Sequence, residues 1–259
     1  MKKWGNTAKR LPAIILLAAI IIFLELVVRI AQVPGYILPP PSEIAAALID
    51  NHALLLSHTG ATLSAVVSGL ALAIVLAVSL SLAMDRWRGL KEAIYPILVI
   101  SQAIPIFALA PILLIWFGVG LLPKILIVTL VCFFPLAVNL VEGFGEVDPE
   151  AIDLMKTMKA DNWMIIRSVK LPSAMPYFFS GLKIAATYSV LGAIIGEWLG
   201  ARAGLGIYML RATHSYRLSH LFAAIIVVII LSLLMFKMAE LTGRVAMPWQ
   251  KEKNNIMEG

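Results

Sequence analysis

Six long apolar stretches constrain the fold of this 259-residue chain more than any other feature of its sequence. They lie at residues 11–31, 62–84, 93–117, 122–142, 177–199 and 220–242. A helix needs about 20 apolar residues to cross the hydrocarbon core of a bilayer, and each stretch has about that length. Because lipid offers no hydrogen-bond partners, a spanning segment of this kind must pair its own backbone groups as a helix. The sequence therefore predicts an all-α, polytopic membrane protein with about six transmembrane helices.

The distribution of Lys and Arg predicts how these helices are oriented. With the N-terminus in the cytoplasm, fourteen of these residues fall in the cytoplasmic segments 1–10, 85–92, 143–176 and 243–259, against four in the external segments. Cytoplasmic loops carry such an excess. We expect a protein of the cell (inner or plasma) membrane whose N- and C-termini are cytoplasmic. The net charge of +6 is then explained by loops that meet anionic lipid, so no nucleic-acid partner is needed.

The first segment of the chain has two possible interpretations. Its basic start and apolar run resemble a signal peptide, but the run is long and no small-residue cleavage site precedes the prolines at 39–41. We therefore expect an uncleaved span, followed by an external proline-rich and amphipathic segment that ends at residue 61. Ser42 is a good N-cap for an amphipathic helix over residues 44–56.

Proline and glycine are concentrated in the third to fifth spans. Pro105 and Pro111 each remove a backbone hydrogen bond and should kink or interrupt the third helix. Gly192, Gly196 and Gly200 form a ridge where another helix can approach closely. Bent helices with glycine-lined faces suit a permeation path, although both residues are also common in membrane helices of every kind.

Four residues within the spans are candidates for a translocation path, namely Gln102, Pro105, Asn139 and Glu197. An ionisable side chain that faces lipid costs several kcal/mol, so Glu197 should face a cavity or a partner. It would contact a polar ligand in the first case and pair with Arg202 or a neighbouring helix in the second. The amides of Gln102 and Asn139 suit either a solute or a contact between helices.

Patterns typical of catalytic and metal-binding sites are not found in the sequence. It contains no GxxxxGK[ST] motif, so the chain has no Walker site for ATP. Four histidines (His52, His58, His214 and His220) lie in or beside external segments without metal-ligand spacing, and we expect solvated loop residues. The single Cys132 excludes a disulfide within the chain. We expect no enzyme activity, no metal and no cofactor in this chain.

The cytoplasmic segment 143–176 is polar and has helical periodicity. Asp148 can cap a helix, Pro149 suits its first turn, and Glu150 favours its positive end. We expect this helix to break at residues 160–161 and a second, short helix over 162–169 to end at Leu171 and Pro172. Such a polar segment between two spans indicates a docking site for a soluble partner.

The spacing within this segment resembles the EAA loop of ABC importer permeases. The matching residues are Glu150, Ala151, Leu154, Thr157, Ala160, Trp163, Ile166, Val169, Leu171 and Pro172. The resemblance implies a coupling helix that inserts into a cleft of a separate ATPase subunit. The coupling residues that it implies are Glu150, Ala151, Asp153, Leu154, Met155, Thr157, Lys159, Ala160, Leu171 and Pro172. Lys159 stands where the family usually has glycine, which accepts a positive φ more readily.

Other stretches extend the resemblance to about residues 30–242. The segments LPPPSEI, SQAIPIFALAPILLIWFGVG, LPSAMPYFFSGLKIA and GEWLGARAGLG resemble nitrate, sulfonate and taurine importer permeases. CFFP, PYFFSGLKIAATYSV and GEWLGA together resemble most the branch that carries thiamine-precursor pyrimidines. The family implies a type I ABC importer transmembrane domain, here residues 62–242. It also implies a homodimer, two ATPase subunits that bind ATP, and an extracytoplasmic substrate-binding protein.

Several functions remain open at this stage. Among substrates, pyrimidines come first, followed by sulfonates or taurine and then nitrate. A stand-alone secondary transporter driven by H⁺ or Na⁺ would use Glu197 as its proton site, but it leaves segment 143–176 without a role. A membrane-embedded enzyme would need paired polar residues at matching depth, and the sequence offers no convincing pair.

Overall fold

The computed structural model describes residues 5–249, with side chains from residue 12 onward. Every regular element in this range is a helix. The helices are α1 (Gly5–Ile30), α2 (Pro41–Asp50), α3 (His52–Arg86), α4 (Arg88–Ser101), α5 (Ile106–Phe117), α6 (Leu121–Gly145), α7 (Pro149–Thr157), α8 (Asn162–Ile165), α9 (Leu171–Trp198), α10 (Leu205–His214) and α11 (Leu218–Ala246). Within the described range, five helical segments are long and apolar enough to cross a membrane, or six with the bent pair α4–α5. The all-α prediction with about six spans is confirmed.

The third predicted span is two helices rather than one. α4 and α5 meet at an angle of 101° across residues 102–105. Pro105 precedes the first residue of α5 in an extended conformation, and Pro111 lies inside α5 without ending it. A proline disfavours helical geometry in the residue before it and lacks an N–H, which explains why the break falls at Pro105. The single span predicted at 93–117 is thus corrected to a broken one.

Ser42 joins α1 to α2 instead of capping α2. Its N–H and its hydroxyl donate hydrogen bonds of 3.0 and 2.8 Å to the Glu25 carboxylate in α1. The Arg29 guanidinium bonds both Glu25 and Ser42, so the i, i+4 pair Glu25–Arg29 is part of this contact. The predicted N-cap role of Ser42 is therefore wrong, since Pro40 holds that position.

The external helix predicted over residues 44–56 is divided at Asn51. α2 ends at Asp50, and the chain re-enters a helix at His52. The Asn51 backbone N–H and side-chain amide both donate to the Ala47 carbonyl, at 3.2 and 2.9 Å, and close the end of α2. The second half of the predicted helix therefore belongs to α3, which is 35 residues long.

The core of the bundle lies between α3, α6 and α9. Fully buried small residues allow close contact there, among them Ala65, Ala73, Ala77, Ala137, Ala185 and Ala193. A Cβ added at Gly192 or Gly196 would lie 3.2 Å from the backbone of α6, so the close approach predicted for these two glycines is confirmed. Gly200 lies beyond the end of α9. α11 packs on the other side of α9, and α1 reaches the bundle through α2.

The bundle has two ends, which are distinguished by the helices that begin or end there. At the first, α3 ends at Arg86 and α6 ends at Gly145, and the chain continues into α7 and α8. At the other, α3 and α6 begin, and α9 ends at Trp198 before α10. We name residues 148–172 the elbow, the first end the elbow end, and the second the opposite end.

The second helix of the elbow continues directly into α9. α8 is followed by a π-helical segment, Ile166–Lys170, and α9 begins at Leu171 without a break. A proline such as Pro172 lacks an N–H, and its ring crowds the carbonyl four residues earlier. The wider turn of the π-helical segment gives that carbonyl room. Pro172 therefore lies in the first turn of α9, and the helix end predicted at Leu171 and Pro172 is wrong.

Candidate functional site

The elbow starts as the sequence predicts. The Asp148 carboxylate accepts a 2.9 Å hydrogen bond from the Glu150 N–H, and Pro149 is the first residue of α7. An acidic cap and a proline both stabilise this end of a helix, where backbone N–H groups lack internal partners. α7 has nine residues and none of them is buried, so this helix extends from the bundle.

Lys159, at the position where the EAA loop usually has glycine, adopts a left-handed backbone conformation. Its φ is 58°, in the left-handed region. Its N–H bonds the Lys156 carbonyl at 2.9 Å, and the Ala160 N–H bonds the Met155 carbonyl at 3.0 Å. These two bonds form a Schellman motif, whose left-handed position is usually glycine. The lysine thus preserves the turn at a conformational cost of roughly 1–2 kcal/mol.

The elbow exposes a cluster of apolar side chains in an otherwise polar segment. Leu154, Met158 and Trp163 are 63%, 72% and 67% exposed, and Met164 is 52% exposed. Large apolar residues grouped at the surface mark sites of contact with a partner or a membrane. The elbow therefore combines two short helices, a fixed turn and an apolar contact surface.

The structure gathers the predicted coupling residues into this one elbow. The exposed members are Glu150, Asp153, Leu154, Thr157, Lys159 and Leu171, and the partly buried members are Ala151, Met155, Ala160 and Pro172. Asp153 pairs with Lys156 at 2.9 Å on the surface of α7. The side chain of Lys170, at the base of the elbow, turns away from this surface towards Asp85 of α3.

A cavity of about 500 Å³ lies beside the break between α4 and α5, against α6 and α9. Three aromatic side chains line it (Phe107, Phe134 and Tyr188), together with apolar residues. Its polar lining consists of the neutral side chains Ser101, Gln102 and Asn139, and no charged residue lines it within the described range. Such a mainly apolar cavity with a few polar groups is typical of a site for a small organic molecule.

Two of the four predicted path residues line this cavity, namely Gln102 and Asn139. The Asn139 amide also donates a 2.8 Å hydrogen bond to the Pro135 carbonyl, which fixes its orientation. Pro105 lies in the helix break that forms one wall. The aromatic residues of the lining were missed, because aromatic residues inside an apolar span do not stand out from its lipid-facing residues.

Glu197 does not line the cavity. Its side chain is fully buried at the opposite end, where it accepts hydrogen bonds from the Thr62 hydroxyl at 2.9 Å and the Gly206 N–H at 2.7 Å. The Thr62 oxygen in turn accepts the Leu205 N–H at 2.9 Å. The carboxylate and the hydroxyl therefore cap the first turn of α10 and satisfy N–H groups that a helix leaves unpaired.

His58 is buried beside this cap. It is 8% exposed, and its Nδ1 accepts a 2.9 Å hydrogen bond from the Gly204 N–H. The expectation of a solvated loop histidine is wrong for His58, because the residue lies in α3 and faces the start of α10.

The Tyr208 hydroxyl in α10 is 3.0 Å from Nδ1 of His220, and burial raises the pKa of this phenol.

Comparison with known proteins gives a family match over most of the chain. Residues 69–244 match the model of the binding-protein-dependent transport system inner membrane component. The formylaminopyrimidine transport permease protein ThiX of Halalkalibacterium halodurans is 36% identical over 93% of this chain and 96% of its own length. The riboflavin transport system permease protein RibX of Chloroflexus aurantiacus is 32% identical over 96% and 93% of the two chains. The taurine transport system permease protein TauC of Escherichia coli is 26% identical over 83% and 81%.

A solved structure has the same fold. A chain of the MetNI methionine ABC transporter, in an inward-facing conformation, aligns with a TM-score of 0.66 and 20% identity. The alignment covers 75% of this chain and 96% of the MetNI chain. The fold is therefore that of a type I ABC importer transmembrane domain, and the resemblance noted in the sequence is confirmed.

Proposed function

The chain belongs to the family of binding-protein-dependent transport system inner membrane components, and we propose that it carries an uncharged, nitrogen-containing heterocycle of the pyrimidine class. It is a multi-pass inner-membrane protein and the permease subunit of an ABC importer. The substrate, the partners and the orientation belong to the proposal. The observation on which the proposal chiefly rests is the uncharged, aromatic lining of the cavity between α4, α5, α6 and α9.

The chemistry of the cavity favours an uncharged solute. An anion such as a sulfonate or nitrate loses its hydration in an apolar cavity and needs a cation or several N–H donors in exchange. The lining supplies neutral polar side chains, and Phe107, Phe134 and Tyr188 offer faces for a flat ring. Two of the relatives above 30% identity are named for formylaminopyrimidine and riboflavin, both conjugated nitrogen heterocycles. A sulfonate or taurine permease is the second candidate, supported by the TauC similarity.

The elbow suits a soluble motor. Its apolar cluster around Leu154, Met158 and Trp163 is too small and too rich in neighbouring charge for a lipid contact, and it fits a cleft in another protein. The sequence has no phosphate-binding motif, so ATP would be bound by that partner. We propose two ATPase subunits beneath a homodimer of this chain and an extracytoplasmic binding protein at the opposite end. Both termini and the elbow are then cytoplasmic.

Uptake of a labelled formylaminopyrimidine into cells tests this function. Cells that express the chain with its ATPase and binding protein should accumulate the label, and an excess of unlabelled pyrimidine should compete while taurine and nitrate should not. Competition by taurine with no effect of pyrimidine would overturn the proposed substrate. Riboflavin as a competitor distinguishes a narrow pyrimidine site from one that accepts larger heterocycles.

Charge inserted into the elbow tests the docking role. Ala151→Glu and Leu154→Asp should each abolish uptake, because a charge buried in the docked interface is costly. When these variants are purified, the ATPase should no longer be attached to the permease. Thr213→Asp, an exposed change at the opposite end, is the matched control and should leave the ATPase attached. Uptake that survives Leu154→Asp, or that an ionophore abolishes while ATP is present, would instead favour an ion-coupled transporter.

A further inference from the structure

One ion pair connects the base of the elbow to α3. Nζ of Lys170 lies 2.8 Å from both carboxylate oxygens of Asp85. The side chains are 20% and 12% exposed, so the pair is largely shielded from solvent. Shielding from solvent strengthens the attraction between the charges, and it makes an unpaired partner costly.

This pair differs from the other ion pairs among the described side chains. The others, such as Arg88–Glu92 and Lys156–Asp153, join residues three or four positions apart on one helix and are mostly exposed. Lys170 and Asp85 are 85 positions apart. Exposed pairs within a helix contribute little, whereas this pair fixes two separate helices to each other.

The location of Asp85 makes the pairing necessary. Asp85 is the penultimate residue of α3, where the helix dipole is negative and disfavours a carboxylate. A cavity of about 240 Å³ lies next to it, lined also by Arg88, Lys91 and Phe144. Arg88 and Lys91 share this cavity, yet the described bond to the Asp85 carboxylate comes from Lys170. The void adjoins the end of α3 on this side, and the ion pair connects that end to the base of the elbow.

Lys170 lies where a displacement of the elbow enters the bundle. It is the last residue of the π-helical segment between α8 and α9. α9 continues from there to Tyr188, which lines the large cavity. The elbow is thus continuous with α9 through the chain itself, and the Lys170–Asp85 bonds connect it to α3 as well.

We propose that Lys170 and Asp85 are positioning residues that transmit movement of the elbow to α3, so that α3 and α9 move together when the ATPase closes. The inference rests on the proposed docking of an ATPase at the elbow. The ion pair contacts neither the solute nor the nucleotide. Its loss should uncouple ATP hydrolysis from transport while the ATPase remains attached.

The experiment uses the complete complex of permease, ATPase and binding protein in lipid nanodiscs and proteoliposomes. It measures ATP hydrolysis with and without loaded binding protein, and the amount of labelled formylaminopyrimidine moved per ATP. Lys170→Met and Asp85→Asn should each reduce the stimulation of ATP hydrolysis by loaded binding protein roughly two- to thirtyfold. They should also reduce the amount of solute transported per ATP. Lys91→Met removes a lysine from the adjacent cavity outside the ion pair, and it should leave both values unchanged.

The charge-swapped variant Asp85→Lys with Lys170→Asp separates transmission from simple folding. It restores an ion pair in reverse, so the stimulation should recover relative to the single variants. Single variants with unchanged stimulation and transport per ATP would overturn the inference. The inference would also be overturned by a charge-swapped complex that assembles fully but shows the same low stimulation and transport per ATP as Lys170→Met. A wild-type complex without ATP-dependent uptake would instead overturn the proposed function on which this inference rests.

Discussion

The Glu197 carboxylate at the end of α9 accepts a 2.7 Å hydrogen bond from the Gly206 N–H in the first turn of α10. Its second oxygen accepts the Thr62 hydroxyl of α3 at 2.9 Å. One buried side chain thus joins three helices at the end opposite the elbow. A charged residue within a membrane span is usually a candidate for transport chemistry, but here the carboxylate is used within the fold.

Glu197→Ala should destabilise the protein, whereas Glu197→Gln should be tolerated. The alanine leaves the buried Gly206 N–H without its acceptor, at a cost of about 1–3 kcal/mol. The glutamine oxygen can still accept that N–H, and its amide can donate to the Thr62 oxygen. Thermal unfolding in detergent and heterocycle uptake are the measurements. Uptake that is lost in Glu197→Gln although the protein remains stable would indicate a proton-carrying role and an ion-coupled mechanism.

Gly204→Ala should be among the most damaging single changes at the opposite end. Gly204 has a φ of 131°, and an added Cβ would lie 2.1 Å from the Glu197 carboxylate. The overlap and the backbone strain together should cost about 3 kcal/mol or more. The expected result is a lower unfolding temperature and less protein in the membrane.

Gly60→Ala is the matched control for that change. Gly60 lies within α3, and an added Cβ would meet no atom within 4 Å. Alanine in a helix interior should stabilise the protein by about 0.5–1 kcal/mol relative to glycine. Equal effects of the two substitutions would contradict the geometry described for Gly204.

Lys159→Gly should stabilise the elbow and preserve uptake. Glycine adopts the left-handed φ of 58° without the steric cost that lysine has, so a gain of about 1 kcal/mol is expected. Lys159→Val should have the opposite effect, because a β-branched side chain is disfavoured there. Hydrogen exchange at the Ala160 N–H, which closes the turn, would measure both changes. Slower exchange in the valine variant would contradict the left-handed turn.

Gln102→Ala should weaken the apparent affinity for the heterocycle. Gln102 is one of the neutral polar groups of the large cavity, and a lost hydrogen bond of about 1 kcal/mol corresponds to a roughly fivefold higher KM. ATP hydrolysis without solute should not change. Leu122→Ala, which is exposed at the start of α6 and outside the cavity, is the control. An unchanged KM for Gln102→Ala would exclude this cavity as the solute site.

Several features of this protein could be predicted from local sequence signals. Apolar length predicted the membrane-spanning segments and their approximate number, because a bilayer requires about 20 apolar residues per crossing. The start of α7 was predicted from Asp148 and Pro149, since caps act within one turn. Gln102 and Asn139, which line the large cavity, could be singled out because a polar residue in an apolar stretch is conspicuous by itself. The ATPase-coupling roles in the elbow remain predictions.

Other features depend on residues that are far apart in the sequence. His58 was expected in solvent, and Glu197 either on the path or against a neighbouring helix. Both accept hydrogen bonds at the start of α10, which forms no apolar stretch and was not predicted at all. Ser42 was assigned to a helix cap, but its hydroxyl instead donates to Glu25 of α1. In each case a partner on another helix decides where the polar group is satisfied, and a pattern read along one segment does not include that partner.

Hydrophobicity and short-range capping are enough to show that this chain spans a membrane, where its long apolar segments lie and that a polar segment projects between two of them as the elbow. Which polar side chains face the cavity and which join helices became clear from the packing of the helices. It also brought Asp85 to Lys170 and placed Phe107, Phe134 and Tyr188 around one space. These features could not be read from one segment, because burial and hydrogen bonding between helices depend on how the helices pack. Small buried residues of α3, α6 and α9 set that packing.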